Sequence, residues 1–437
     1  LQGIGIEHLI KYRLLEIERV ARRILDKIKG TRLKSPHEET IKENLEKNLT
    51  SLSGTLEKLS GEITKLKLDS IGIIVDYIRT QSDYLFGVIE DILSQEAAAE
   101  LYYFLDFYID FLVDEKIIEN SPTIVIIKGY EPQTYLLPSL PSPENPSLSP
   151  NESLWIIEVP VKVEGNIFEW PILLHELAHI IEHKLRIVNN KFRRSYTIEE
   201  LERGVVNAVD YYHCKEYLCD YIALLLCGPL WLFMLYDLYL TPTYRLPKTH
   251  PEWTRRVAVL KERISDFLND VKKSINKYRS GSALSNIDRP LSREGIEQLT
   301  KLINNIEQIK LEPVYHKPPH LDQTLNDVEN KLANLSFKLD IKDLLNCVSN
   351  LAGFKPYISK RTYIVGKKEG ESKDDDIDVN VIVNAGYLVY RLNLFNQEIL
   401  EYFRHDEYKM KSEFTYLVAE CVRSARIVML AKQALLS

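Results

Sequence analysis

Residues 172–183 read Ile-Leu-Leu-His-Glu-Leu-Ala-His-Ile-Ile-Glu-His, and their order constrains the fold more than any other stretch of the chain. His175 and His179 are four apart, so on a helix they stand one above the other and their imidazoles converge. Leu173, Leu174, Leu177, Ala178, Ile180 and Ile181 surround them, which predicts a helix buried nearly all round. Burying two imidazoles and the Glu176 carboxylate there is costly without compensation. A metal ion is the readiest compensation. The HExxH spacing supplies two borderline nitrogen donors, and Glu176 is placed to orient and deprotonate a bound water. The competing reading makes His175 and His179 hydrogen-bonded core residues only.

A catalytic zinc takes three protein ligands and keeps one open position. His183 continues the same helical stripe but lies about 12 Å along the axis from His175, too far to share an ion. His213 is available but carries no supporting pattern. Glu216 has one: Glu216-Tyr217-Leu218-Cys219-Asp220 places a second carboxylate four residues on, on the same helical face. A metal-bound histidine usually passes its other ring N–H to a carboxylate, a role that suits Asp220. Leu218, Ile222, Ala223 and Leu224 argue against a merely solvated acidic face.

HELAH followed by a helix bearing ExxxD resembles the gluzincin clan of metallopeptidases, of which thermolysin is the familiar member. Thr249-His250-Pro251, followed by Arg256 and Val257, is similar to the HP…R segment of prenyl-protease and HtpX-type peptidases. The Gly228-Pro229 pair inside an apolar run looks like soluble relatives of that group. The resemblance covers roughly residues 153–262. It implies a zincin-like core in which His175, His179 and Glu216 bind Zn2+, Glu176 is the general base and Asp220 supports a histidine. It also implies that the strand before the motif helix, Trp155–Val163, binds substrate by edge pairing. Prenyl-protease and HtpX-type enzymes are membrane-embedded and this chain shows no such spans, so a shared substrate is not expected. His250 has two readings: a donor to a tetrahedral oxyanion, or a helix entry with Pro251 in the first turn. Tyr211, Tyr212 or Tyr244 could supply such a donor instead.

Elsewhere the pattern predicts a mainly α protein with a small antiparallel sheet (α+β), in three regions: 1–118, 119–262 and 263–437. Ile41, Leu45, Leu49, Leu52, Leu56, Leu59, Ile63 and Leu66 step by three and four, the seam of an antiparallel hairpin or short coiled coil. The aromatics of 97–117 (Tyr102, Tyr103, Phe104, Phe107, Tyr108 and Phe111) read as a core-facing stripe. A buried strand is expected at 122–129. Alternation from Trp155 to Val163, broken by Ile156, predicts a strand with one wet face, and Pro160 places it at an edge. The proline-rich stretch 131–152 is expected as linker or flap. Helices are expected at about 171–186, 198–240 with a break at Gly228-Pro229, 251–280, 292–311, 322–351 and from Asn396 onward. Thr362–Arg391 reads as β-like, around the acidic run Asp374, Asp375, Asp376 and Asp378.

The net charge of −7 speaks against a nucleic-acid binder. Five cysteines without a CxxC pair exclude a cysteine-based finger and a disulfide framework, and point to a reducing compartment. Residues 1–30 lack the apolar core of a signal peptide. A cytoplasmic protein is therefore expected. Residues 221–240 match a membrane span in length, but the Gly228-Pro229 break and Asp237 favour two short buried helices. The expected activity is hydrolysis of a peptide or protein substrate. The rival is a regulatory or interaction protein with a structural or degenerate zinc site, with self-association through the N-terminal helices as a further expectation. A third reading lays the 131–152 loop over the cleft as a self-inhibitor.

Overall fold

The computed structural model describes residues 6–62, 68–137, 154–240, 248–279, 293–310, 317–332, 341–353, 379–395, 397–404 and 406–436. It is mainly helical with one three-stranded mixed sheet. The chain divides into two compact units: Leu1–Tyr102 with Ile118–Glu164, and Tyr103–Ile117 with Gly165–Ser437.

In the first unit, α1 (Ile6–Gly30), α2 (Glu38–Glu62) and α3 (Leu68–Gln95) surround a core that includes Ile24, Ile28, Leu85 and Ile89. The expected seam is present on α2. Ile41, Leu45, Leu49, Leu52 and Leu56 are buried, and Leu59 packs against them half-buried. Ile63 and Leu66 lie outside the described residues. The helix α4 (Ala99–Asp114) passes from the first unit into the second. Its aromatic stripe is divided: Tyr102, Phe104 and Tyr108 are buried, whereas Tyr103 and Phe111 are exposed.

The sheet joins β1 (Thr123–Gly129), β2 (Gln133–Leu136) and β3 (Leu154–Pro160) in the order β1-β3-β2. Here the sequence reading needs correction. β3 is the central strand, parallel to β1 along its whole length and antiparallel to β2 from Trp155 to Glu158. Nor has it a wet face, since Leu154, Trp155, Ile156, Ile157 and Val159 are all buried. Pro160 misled because it is the last residue of the strand, opposite Gly129, and the chain turns there into α5 (Val161–Glu164). The proline therefore ends the ladder instead of marking an edge. Glu158, the one polar side chain of β3, accepts from the Tyr130 N–H at 3.1 Å and from the Gln133 amide at 2.5 Å. Gly129 leaves room for this side chain, since a Cβ there would fall 1.6 Å from Glu158 Oε1 and push the glutamate aside.

The second unit holds the motif helix. A single 3-10 turn, Ile167–Glu169, is capped by Asn166, which accepts from the Phe168 N–H at 3.2 Å. Pro171 then opens α6 (Ile172–Leu185), where its fixed φ suits the helix entry and its missing N–H removes a donor that would have no helical partner. Arg186, in the left-handed conformation, ends it. After α7 (Ile187–Phe192) and α8 (Ile198–Glu202), α6 packs along α9 (Val206–Cys227). Most of α9 is buried on every side, from Tyr217 through Leu224 without interruption. At Gly228-Pro229 the helix breaks as expected, with Gly228 at φ 73°, and α10 (Leu230–Leu240) follows with Leu230–Tyr236 buried.

The remaining elements are α11 (Trp253–Arg263), α12 (Ser265–Arg279), α13 (Arg293–Gln308), α14 (Leu321–Lys331), α15 (Ile341–Ala352), α16 (Val379–Leu392), α17 (Gln397–Tyr402) and α18 (Glu407–Leu436). A second correction concerns α16. Its run of Val, Ile and Tyr reads as strand by propensity, yet Val381–Val389 is a helix with Val381, Ile382, Val383, Ala385, Tyr387, Leu388 and Val389 buried. Packing against α10, α15 and α18 overrides the β-branched preference. The acidic run 374–378 and the proline-rich segment from Pro138 to Pro150 lie outside the described residues. Among those described, no helix is long and apolar enough to cross a membrane.

The α9–α10 break would leave backbone groups bare inside the unit, and α16 satisfies them. Asn384, wholly buried, accepts from the Leu230 N–H at 2.9 Å and donates to the Cys227 carbonyl at 2.8 Å. Replacing Asn384 with alanine removes both partners of these buried groups. We expect the substitution to cost about 3 kcal/mol of unfolding free energy, on the scale of one to two unsatisfied buried groups, measured by urea denaturation. A loss under about 0.5 kcal/mol would show that water replaces the amide.

Candidate metal centre

Four helices and one turn build the centre within the second unit. α6 contributes His175, Glu176 and His179; α9 contributes Glu216, Cys219 and Asp220; α10 contributes Trp231; the turn into α11 contributes His250; and α11 contributes Arg256, six residues on. His175, Glu216 and His250 each bring one ligand atom to within 4.8 Å of the other two, a group that can hold a metal ion. His175 Nε2 lies 3.3 Å and His250 Nε2 3.0 Å from Glu216 Oε2. His179 adjoins this group, its Nε2 3.7 Å from Glu216 Oε1 and its ring perpendicular to that of His175 at 4.9 Å between centroids. Of the expected ligands, His175 and Glu216 belong to the group, whereas His179 stands beside it and the third place is taken by His250, which the sequence offered only as an oxyanion donor or a helix entry. His183 and His213 are not in the group.

Glu176 is buried at 3 % exposure, one residue along α6 from His175. The tyrosine alternatives are engaged elsewhere. Tyr211 hydrogen-bonds Asn189, Tyr212 donates to the Tyr196 carbonyl at 2.9 Å, and Tyr244 lies outside the described residues.

Behind the imidazoles stands Asp220, with no exposed surface. Arg256 grips it with two charge-assisted hydrogen bonds, 2.7 Å from Nε and 2.5 Å from Nη2. Trp231 Nε1 adds a third at 3.1 Å. The same indole stacks on the His175 ring, 5.3 Å between centroids and 18° between planes. His175 Nδ1 comes within 3.1 Å of Asp220 Oδ1, an ion-pair distance, although the angle falls short of a hydrogen bond. Asp220 thus lies beside His175, on the side of the ring away from Glu216. Cys219 Sγ lies 3.3 Å from His179 Nδ1, and Thr249 Oγ1 lies 2.7 Å from His250 Nδ1. Each of the three imidazoles is held from behind by a different group.

Reading the sequence residue by residue placed Arg256 in a motif without assigning its task, and gave no role to Trp231 or Cys219. A signal existed for two of them: Arg256 follows His250 by six positions in the HP…R segment, and Cys219 shares the helical face of Glu216 at i+3. Trp231 carried none, since it arrives by tertiary packing from beyond the Gly228 break.

The electrostatics follow from this enclosure. Burial pushes the His179 pKa down to about 3 and that of His250 to about 4, so both are neutral donors at neutral pH. Burial acts the same way on His175, but Asp220 and Glu216 overcome it and raise its pKa to about 9. Burial would also raise the Glu216 pKa, and the surrounding His250, His179 and His175 more than offset it, holding the carboxyl well below its usual range. Glu216 is therefore an anion in the interior.

Does the donor set suit a metal? Glu216 Oε2 is buried without a hydrogen-bond partner while two imidazole nitrogens sit around it. An unsatisfied buried carboxylate oxygen calls for a positive partner. Imidazoles with one carboxylate are the donor chemistry of zinc and neighbouring transition ions. The residues fit. Comparison with family models, curated proteins and solved structures gives no match to this chain.

A ligating imidazole must be neutral, and His175 is the one ring held protonated near pH 7. A raised pKa favours the protonated ring fully below about 6.5, and that advantage fades as the pH rises through about 9. Binding of a divalent ion at about pH 7 is therefore expected to release about one proton per chain, fewer as the pH approaches 9. Calorimetry in buffers of different ionisation enthalpy reads the number directly. Release that does not change with pH would place the proton elsewhere.

Proposed function

We propose that this chain is a zinc-dependent metallopeptidase of gluzincin type. The observation that carries the reading is the buried Glu216 carboxylate, its Oε2 short of a hydrogen bond beside His175 and its Oε1 facing His179, with Glu176 on the same HExxH helix. His175, His179 and Glu216 would hold the ion, leaving a position for water. When bound, zinc supplies Lewis acidity, acidifying water and polarising a carbonyl.

The chain's own residues do the rest. Glu176 takes the proton from the attacking water and returns it to the leaving amine. His250, neutral and steadied by Thr249, donates from Nε2–H to the oxygen that gains negative charge. Asp220, fixed by Arg256 and Trp231, keeps Nδ1 of His175 protonated and Nε2 free to ligate. The substrate does not pair with β3, whose two edges are both occupied by its neighbours.

A second reading rests on the 3.0 Å separation of His250 Nε2 from Glu216 Oε2. If His250 is a fourth protein ligand, the centre is closed and structural, as an interaction protein would have it. Two variants divide the readings. Under the peptidase reading, Glu176→Gln keeps about one zinc per chain by elemental mass spectrometry while hydrolysis of an unfolded protein substrate falls by about a thousandfold. His250→Ala likewise keeps its zinc and loses turnover. Loss of zinc from His250→Ala, with no hydrolysis by the unaltered chain, would establish the closed centre instead. Glu216→Ala is expected to lower metal affinity in either case, and unchanged zinc content would remove Glu216 from the ligands.

A further inference from the structure

The three imidazoles of the centre differ in what stands behind them, and the support of His179 is the unusual one. Asp220 faces His175 and a threonine hydroxyl faces His250, but His179 Nδ1 meets the thiol of Cys219 at 3.3 Å. Cys219 has no exposed surface, and it sits on α9 between two residues already assigned, three after Glu216 and one before Asp220. A single turn of one helix thus presents a donor atom, a support for the second histidine and a support for the first.

We propose that Cys219 is a positioning residue for His179, accepting a hydrogen bond from Nδ1–H so that Nε2 carries the free lone pair and faces the metal. This rests on the metal-centre reading given above. The chemistry is that of tautomer selection. A neutral imidazole has one N–H and one lone pair, so an acceptor behind Nδ1 fixes the proton there and leaves Nε2 to ligate. Sulfur is a weak acceptor, but the contact is enclosed, and in a low-dielectric interior a weak polar contact gains strength. Groups standing behind a ligating histidine commonly change metal affinity by about ten- to a hundredfold when removed. A thiol withdraws less of the N–H proton than a carboxylate does. His179 is therefore a less electron-rich ligand than His175, and the ion is held more firmly on the α6 N-terminal side.

The test uses the full chain and cobalt(II), whose visible absorption reports both affinity and ligand geometry. Cys219→Ala and Cys219→Val remove the acceptor, the second refilling the volume; Cys219→Ser restores an acceptor. Circular dichroism checks that each variant is folded. The expected result is cobalt binding about tenfold or more weaker in the alanine and valine variants, with an altered visible band, and recovery to within about threefold in the serine variant. Alanine or valine variants that bind as the unaltered chain does, with the same spectrum, would overturn the proposal. So would serine and alanine variants that are equally weak, because the thiol would then matter only for packing. Failure of the unaltered chain to bind cobalt at all would instead sink the metal-centre reading itself.

Discussion

A carboxylate with no access to water, Asp220, is the constraint around which the second unit is arranged. A buried anion of this kind persists only when its charge and its lone pairs are answered. The answer is drawn from separate parts of the chain: the guanidinium of Arg256 from α11, the indole of Trp231 from α10 and the imidazole of His175 from α6. Three helices are thereby referred to one atom pair on a fourth. The mutual placement of α6 and α9 that brings His175 and His179 to Glu216 is a by-product of satisfying Asp220. Removing Arg256 leaves an uncompensated interior charge, a larger penalty than the pair's net worth, whereas removing Trp231 leaves a buried lone pair unanswered. Tolerance to substitution should be lower here than at the ligands themselves.

The indole of Trp231 ties electrostatics to packing. It donates to the carboxylate while its ring lies flat on the imidazole that the carboxylate orients, so hydrogen bond and stacking restrict the same ring in different directions. His175 cannot tilt without losing the stack, and turning about its ring normal carries Nδ1 away from Asp220. Among the described residues, Glu216 Oε2 has no hydrogen-bond partner and faces the imidazoles of His175 and His250. The centre therefore pairs a rigid histidine with an underdetermined carboxylate. Such an arrangement leaves one ligand free to adjust to the radius of the ion that arrives.

How far the sequence discloses all this depends on how local each feature is. The HExxH helix, the ExxxD helix, the seam on α2 and the break at Gly228-Pro229 were legible because each is written within a few turns of one element. Failures came where the answer lay in a distant neighbour. Pro160 looked like an edge marker because nothing local tells a strand's last residue from its middle, and Ile156, the one break in the alternation, was the sign of a second covered face. The β-branched run of α16 read as strand because propensity was weighed without the helices that enclose it. Cys219 and Trp231 could not be given tasks from spacing, since the partner of each is fixed by how α6 and α10 lie on α9.

The clasp at Asn384 bears on the order in which a growing chain is made. The two backbone groups it satisfies belong to residues 227 and 230, over 150 positions earlier. While residues 172–256 leave the ribosome, every ligand and every support of the centre has been synthesised, yet the joint that sets α10, and with it Trp231, against Asp220 still has bare amide and carbonyl groups. The joint that carries Trp231 is thus closed by a side chain made over 150 positions later, so the support of Asp220 is complete only once α16 has packed against α10.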